Sequence, residues 1–146
     1  MAEAHDATQP YYDHAVRRSG KRPDVAAVVP PTAMRILEIG CAEGSFADNF
    51  DRPIEFWGIE PHAPSAELAK GRMHRVFAST FEQAFEHLPR GHFDAIVCND
   101  VIEHMPDHDR FLHEVKPLFA PGGTLIASIP NVRYFWNLFD LLLKKQ

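Results

Sequence analysis

Three groups of residues in this chain have the types and spacing to do chemistry. Gly40-Cys41-Ala42-Glu43-Gly44 follows the run Arg35-Ile36-Leu37-Glu38-Ile39, and glycines at such a turn permit backbone angles and a close approach that a side chain would block. A ligand can therefore touch the main chain there, and where the turn feeds a helix its free N–H groups favour an anionic or polar ligand group. Glu60 stands twenty positions after Gly40, closing Phe56-Trp57-Gly58-Ile59; at that spacing a carboxylate can accept both hydroxyls of a ribose. The third group, Asn99, Asp100, Glu103 and His104, follows the apolar stretch Phe93–Cys98. His104 carries an imidazole, the side-chain type suited to moving a proton near neutrality. Together these residues predict a nucleotide-like cofactor. The glycine pattern is G-x-A-x-G, because Ala42 and Ser45 stand where the dinucleotide fingerprint G-x-G-x-x-G needs glycine, so a pyrophosphate loop is disfavoured.

These groups must be brought together by the elements between them. Apolar, partly β-branched runs predict strands over 35–39, 55–60, 75–78, 93–98 and 124–129. Helical stretches are expected near 45–50, 65–71, 81–88, 107–119 and 134–144, with Pro117 placing the end of the fourth in doubt. Strands alternating with helices imply an α/β fold, a doubly wound, mainly parallel sheet with helices on both faces. In such sheets ligands sit outside the carboxyl ends of the strands, where strand order reverses. Gly40–Gly44, Glu60, Ser79 and Thr80, and Asn99 to Glu103 all fall at those ends. The Pro30-Pro31 break divides a flexible N-terminal segment with a helical cap (1–34, the cap over 11–29) from a cofactor-binding core (35–146).

The bulk properties fit one domain. The chain has 146 residues, 45% apolar and 24% charged, which is ordinary for a globular domain with a real core. Fifteen Lys and Arg against twenty Asp and Glu give a formal charge of −5, so the broad cationic surface of a nucleic-acid binder is not expected. No apolar run has the ~18 to 20 residues of a membrane span, and Met1–Pro10 lacks a signal-peptide core. The expectation is a cytoplasmic protein, consistent with only two cysteines, Cys41 and Cys98. If strands one and four are neighbours, both thiols lie near the same end of the sheet, as packing residues more readily than as a pair.

Taken in order, the motifs resemble those of the class I S-adenosylmethionine-dependent methyltransferases, in particular the small bacterial methyltransferase-domain type. Ile36–Gly44 is similar to the family's first motif, Glu60 to its ribose acid, Phe93–Met105 to its fourth-strand motif and Leu118–Leu125 to its turn into strand five. The resemblance implies a Rossmann-like fold with S-adenosylmethionine as cofactor. It places Glu38 at the cofactor's amino group or the loop, the backbone of Gly40, Cys41, Ala42 and Gly44 at the methionine part, with Phe46 alongside, and Glu60 with Pro61 at the ribose. Thr80 occupies the place of an adenine-binding Asp, a departure that replaces a charge-assisted contact by a hydroxyl, and Phe81 is expected to pack on the ring. Asn99, Asp100 and Val101 are expected near the sulfonium, with His104 as base for a hydroxyl acceptor.

Other implications are narrower. Asp100, Glu103 and His104 form a D-x-x-E-H pattern resembling some metal-assisted members, but His108 and His113 fall on the next helix and no second histidine cluster follows, so no metal is expected. Tyr11-Tyr12-Asp13 and Arg17-Arg18 resemble a cap folded over the cofactor, Tyr12 being placed to stack on a cation or substrate. Tyr134-Phe135-Trp136, Phe139 and Leu141–Leu143 have the spacing of a core or interface helix. Members usually continue with two further strands. With the sequence ending at Gln146, the expectation is a truncated domain or one that self-associates through the apolar edge Leu125–Ile129. The predicted function is methyl transfer to a small-molecule acceptor, with Ser128–Arg133 resembling members that modify sugars or glycans. The competing readings are a nicotinamide-dependent oxidoreductase and a cofactor-binding module without catalysis.

Overall fold

A computed structural model of the chain describes residues 21–129. Its elements are a one-turn helix α1 (Pro23–Ala26), β1 (Arg35–Ile39), a 3₁₀ helix (Ser45–Asn49), β2 (Glu55–Ile59), α2 (Ala63–Ala69), β3 (Arg75–Phe77), α3 (Phe81–Ala84), β4 (Phe93–Asn99), a 3₁₀ turn (Ile102–His104), α4 (His108–Val115) and β5 (Phe119–Ser128). The five strands form one sheet of order β3-β2-β1-β4-β5, and every pairing is parallel. Strand order reverses at β1, which lies between β2 and β4. The expected α/β, doubly wound sheet is therefore present.

Parallel strands covered on both faces need continuous apolar runs, and β1 and β4 supply them. Ile36, Leu37, Ala95, Ile96, Val97 and Cys98 are fully inaccessible. Alternation of side chains across the pleat sends Ile36, Phe56, Ala95 and Val97 into one apolar layer with Phe46 and Met73. Leu37, Ile39, Trp57, Ile59 and Ile96 enter the other, with Phe81, Phe111 and Leu118. Val25, Val29 and Ala33 belong to the first layer, so residues just ahead of β1 pack into the core. The described part of the expected cap is the single turn α1; Tyr11, Tyr12, Asp13, Arg17, Arg18 and the helix expected over 134–144 lie outside the described residues.

At the amino end of the central pair, Asp94 Oδ2 accepts from the N–H groups of Met34 and Arg35, at 2.9 and 3.0 Å. Its Oδ1 accepts from Arg35 Nη2 at 2.8 Å. This clamp holds the start of β1 beside β4. Strand five begins at Phe119, five residues earlier than expected from Thr124, because Pro121-Gly122-Gly123 does not end the pairing. The ladder skips between the Phe93↔Phe119 and Ala95↔Thr124 pairs as a bulge. A Cβ on Gly123 would meet the Phe93 carbonyl oxygen at 2.8 Å, so the bulge requires glycine there. Pro117 ends the fourth helix as a 3₁₀ turn over Lys116–Leu118. Among the described residues β5 has no strand on its outer side.

Candidate cofactor site

The carboxyl ends of β1, β2 and β4 carry the glycine loop, Glu60 and Asn99, joined by the Ala42–Glu60 and Asn99–Glu38 hydrogen bonds. Gly40 and Gly44 have φ of +75° and +77°, the left-handed region that favours glycine. A Cβ on Gly40 would lie 2.4 Å from Val101 Cγ2, and one on Gly44 would lie 3.2 Å from the α2 backbone at Ala69. The loop is thus pressed between the start of the post-β4 segment and α2. Ala42 also has a positive φ of 46°, a strained conformation that the surrounding bonds must enforce.

Those bonds run within the loop and to the end of β2. The N–H groups of Gly40 and Cys41 both donate to the Ile59 carbonyl, at 2.8 and 3.1 Å, and that of Gly44 to the Cys41 carbonyl at 2.8 Å. The Ala42 N–H donates to Glu60 Oε2 at 2.9 Å. Donors so engaged do not make an anion-binding nest. The loop also feeds a five-residue 3₁₀ helix, capped without a side-chain bond, and not an α-helix with a developed macrodipole. Four N–H groups of the loop, those of Gly40, Cys41, Ala42 and Gly44, are thus engaged within the chain.

What the site offers instead is acceptors. Glu60 is 3% exposed; its second oxygen, Oε1, accepts from the His62 N–H at 2.8 Å. The carboxylate is therefore fixed across the turn between β2 and the glycine loop, with Pro61 exposed beside it. Glu38, also 3% exposed, accepts from Asn99 Nδ2 at 3.0 Å. Its other oxygen and Asn99 Oδ1 are buried with no hydrogen-bond partner among the described residues. Burial raises the Glu38 carboxyl to about 8, with Asn99 opposing and the charge of Glu60 adding to the shift. Two orphaned acceptor atoms in a water-poor site are costly, and they match a ligand that brings donors or positive charge.

Asp100 follows β4 with φ +54°. Its N–H donates to the Ser128 carbonyl and Oγ, each at 3.1 Å, its Oδ1 accepts from the Ser128 hydroxyl at 2.8 Å, and its Oδ2 accepts from Arg22 Nη1 at 3.0 Å. His104 ends the 3₁₀ turn after β4, exposed, its N–H donating to the Val101 carbonyl. Thr80 caps α3 at the end of β3, where the Gln83 side chain accepts from its N–H at 3.1 Å.

Three predicted residues serve packing. Phe46 lies in the first apolar layer against Phe50 and Phe56. Phe81, 4% exposed, turns its ring onto Phe111 at 5.1 Å and Phe85 at 5.8 Å, which corrects its expected place on an adenine ring. Cys41 points its sulfur at Gly58, where a Cβ would meet it at 2.6 Å; only its backbone belongs to the loop. Cys41 and Cys98 lie in opposite layers, and burial pushes both thiols up, Cys98 to about 12. Among the described residues, no group of three or more His, Cys, Asp and Glu converges to hold a metal ion, and no helix is long and apolar enough to cross a membrane. Sequence reasoning missed Arg22 and Asn49. Arg22 meets Asp100 across 78 positions, and no local pattern signals such a contact.

Residues 9–143 match the family described as methyltransferase domain. A ubiquinone biosynthesis O-methyltransferase of Bradyrhizobium sp. is 29% identical over 118 residues, covering 77% of this chain and 45% of the relative. Another from Rhodopseudomonas palustris is 30% identical over 114 residues, covering 75% and 44%. This chain thus spans less than half the length of those relatives. Among solved structures, an S-adenosylmethionine-dependent methyltransferase of Thermotoga maritima superposes with TM-score 0.68 at 27% identity, covering 94% of this chain and 66% of that one. One from Archaeoglobus fulgidus, at TM-score 0.69, 19% identity and coverage of 92% and 64%, shares the fold.

Proposed function

This chain belongs to the methyltransferase domain family, whose methyl donor is S-adenosylmethionine, and we propose that its crevice binds that donor and transfers the methyl group to a hydroxyl of a small molecule. The observation that carries the reading is the charge character of the site. The N–H groups of Gly40, Cys41, Ala42 and Gly44 donate within the chain, while Glu60, Glu38 Oε2 and Asn99 Oδ1 place carboxylate and amide oxygens beside them. That arrangement suits a ligand with an ammonium, a sulfonium and a sugar diol. It does not suit the pyrophosphate of a nicotinamide dinucleotide, whose oxygens need free N–H groups.

The donor supplies an electrophilic methyl group on a positively charged sulfur; the chain's task is to hold, align and keep the site dry. Each Glu60 oxygen accepts one backbone N–H, which fixes the carboxylate where a sugar diol would meet it. In the ligand-free chain, burial keeps a proton on Glu38 near neutrality; a cationic group beside Oε2 favours loss of that proton. Asn99 orients Glu38 through the bond at 3.0 Å. His104, exposed at the same end of the sheet, is assigned as the base that takes the acceptor's proton.

The hydroxyl acceptor draws support from the names of the O-methyltransferase relatives. The sugar or glycan assignment rests on Ser128–Arg133, most of which lies outside the described residues, and is the narrower part of the proposal. Radiolabelled donor incubated with a panel of phenols, catechols and sugars tests both. Label on an acceptor oxygen, reduced about 10²-fold or more by His104→Gln with donor affinity unchanged, is the expected result. Donor binding without transfer to any acceptor would instead support a non-catalytic module.

A further inference from the structure

Two non-glycine residues with left-handed backbones face each other across the chain. Arg22, φ +48°, lies just ahead of α1, and Asp100, φ +54°, lies just after β4. Arg22 Nη1 bridges Asp100 Oδ2 at 3.0 Å and Ser128 Oγ at 3.3 Å. Its Nε and Nη2 hold both oxygens of Asp24 at 3.1 Å, which fixes the plane of the guanidinium. Asp100 in turn has both carboxylate oxygens and its N–H engaged by Arg22 and Ser128. One residue earlier, the Lys21 carbonyl accepts from Asn49 Nδ2, which also donates to the Phe46 carbonyl. Lys21 and Arg22 therefore tie the 3₁₀ helix behind the glycine loop to the ends of β4 and β5.

Left-handed backbone at an aspartate persists only where neighbours over-determine it. Asp100 is flanked by Asn99, which holds Glu38, and Val101, whose methyl fills the space that makes Gly40 obligatory. The geometry points to Arg22 as a positioning residue: through Asp100 and Ser128 it sets the Asn99–Val101 backbone against the glycine loop, and so sets the affinity for the donor without touching it. Asp100 in this arrangement is a clasp: its two oxygens hold Arg22 and Ser128 to the segment after β4. The inference rests on the proposed function only for its ligand; the clasp itself is a set of contacts within the chain.

Two measurements on wild type, Arg22→Ala, Arg22→Lys, Asp100→Asn and the Arg22→Ala/Asp100→Asn double variant test it. Hydrogen–deuterium exchange of the ligand-free protein reads the backbone directly: Arg22→Ala is expected to speed exchange over Asn99–Ile102 about tenfold while leaving the centre of β1 unchanged. Calorimetric titration with S-adenosylmethionine is expected to show affinity falling about tenfold in Arg22→Ala, recovering to within about threefold in Arg22→Lys, and falling no further in the double variant. Unchanged exchange over Asn99–Ile102, or additive losses in the double variant, overturns the clasp. Should Arg22→Ala not fold, Ser128→Ala carries the same exchange test, with wild-type exchange over Asn99–Ile102 the overturning result. Wild-type protein that does not bind the donor contradicts the proposed function; wild-type binding with unaltered variants contradicts the clasp alone.

Discussion

Glu38 and Glu60 are two equally buried carboxylates at the ends of neighbouring strands, and their environments give them different work. Glu60 receives backbone N–H groups on both oxygens, which fixes its orientation. Glu38 receives one amide and is otherwise desolvated, which holds its proton until about pH 8. Between its ordinary 4.5 and that value the folded chain keeps a proton that the unfolded chain has released, so this group lowers stability as pH rises through that window. Glu38→Gln keeps the Asn99 contact and removes the penalty. Calorimetric melting of the ligand-free variant at pH 8 to 9 should show a gain of roughly 1–3 kcal/mol, while donor affinity drops about tenfold. A variant no more stable than wild type at that pH would show that Glu38 does not carry a buried proton. The strand-end positions of both acids were legible from apolar runs; the burial that keeps a proton on Glu38 against the opposing Asn99 contact, 61 positions away, was not.

The elements that shape the crevice are the glycine loop and the segment after β4. Gly40→Ala adds a methyl group 2.4 Å from Val101 Cγ2 at a φ of +75°, so it should cost about 2–4 kcal/mol in urea unfolding. Gly91→Ala, at φ +64° with open space around it, should cost only about 1–2 kcal/mol. Adding Val101→Ala to Gly40→Ala should recover part of the loss; no recovery would mean that the loop and the β4 segment are not in contact. Strands β1, β2 and β4 were readable because both of their faces are covered. The helix expected near 45–50 is 3₁₀, since Pro53 and β2 at Glu55 follow too closely for the turn to lengthen. The start of β5 was hidden because Pro121-Gly122-Gly123 reads locally as a turn, whereas the structure absorbs it as a bulge. Phe81 carried the right residue type for ring stacking, but tertiary packing against Phe111 claims it.

For the whole molecule, two ionisable groups at opposite ends of the sheet bend the stability profile. The Arg35 guanidinium and the Met34 and Arg35 N–H groups hold Asp94 down at about 2, although its partial burial works the other way. Stability from this clamp is full above the ordinary value of 3.8 and is lost as pH falls towards 2. Asp94→Asn should therefore cost roughly 1–2 kcal/mol at pH 7 and almost nothing at pH 2. With Glu38 acting in the opposite sense above 4.5, these two groups favour a ligand-free stability maximum near pH 4 to 5. Saturating donor should move it upward, because a bound cation favours charged Glu38. Melting temperatures across pH 2 to 9, with and without S-adenosylmethionine, read both effects. A maximum that does not move on adding the donor would contradict the coupling.

The central claim, that this crevice grips a positively charged adenosyl donor through a buried ribose acid, is tested most directly by calorimetric titration of wild type and Glu60→Ala with S-adenosylmethionine at pH 7.5. The account predicts one-to-one binding to wild type and an affinity about ten- to a hundredfold weaker in the variant, as expected for loss of charge-assisted bonds. No binding to wild type, or equal affinity in the two proteins, would contradict it.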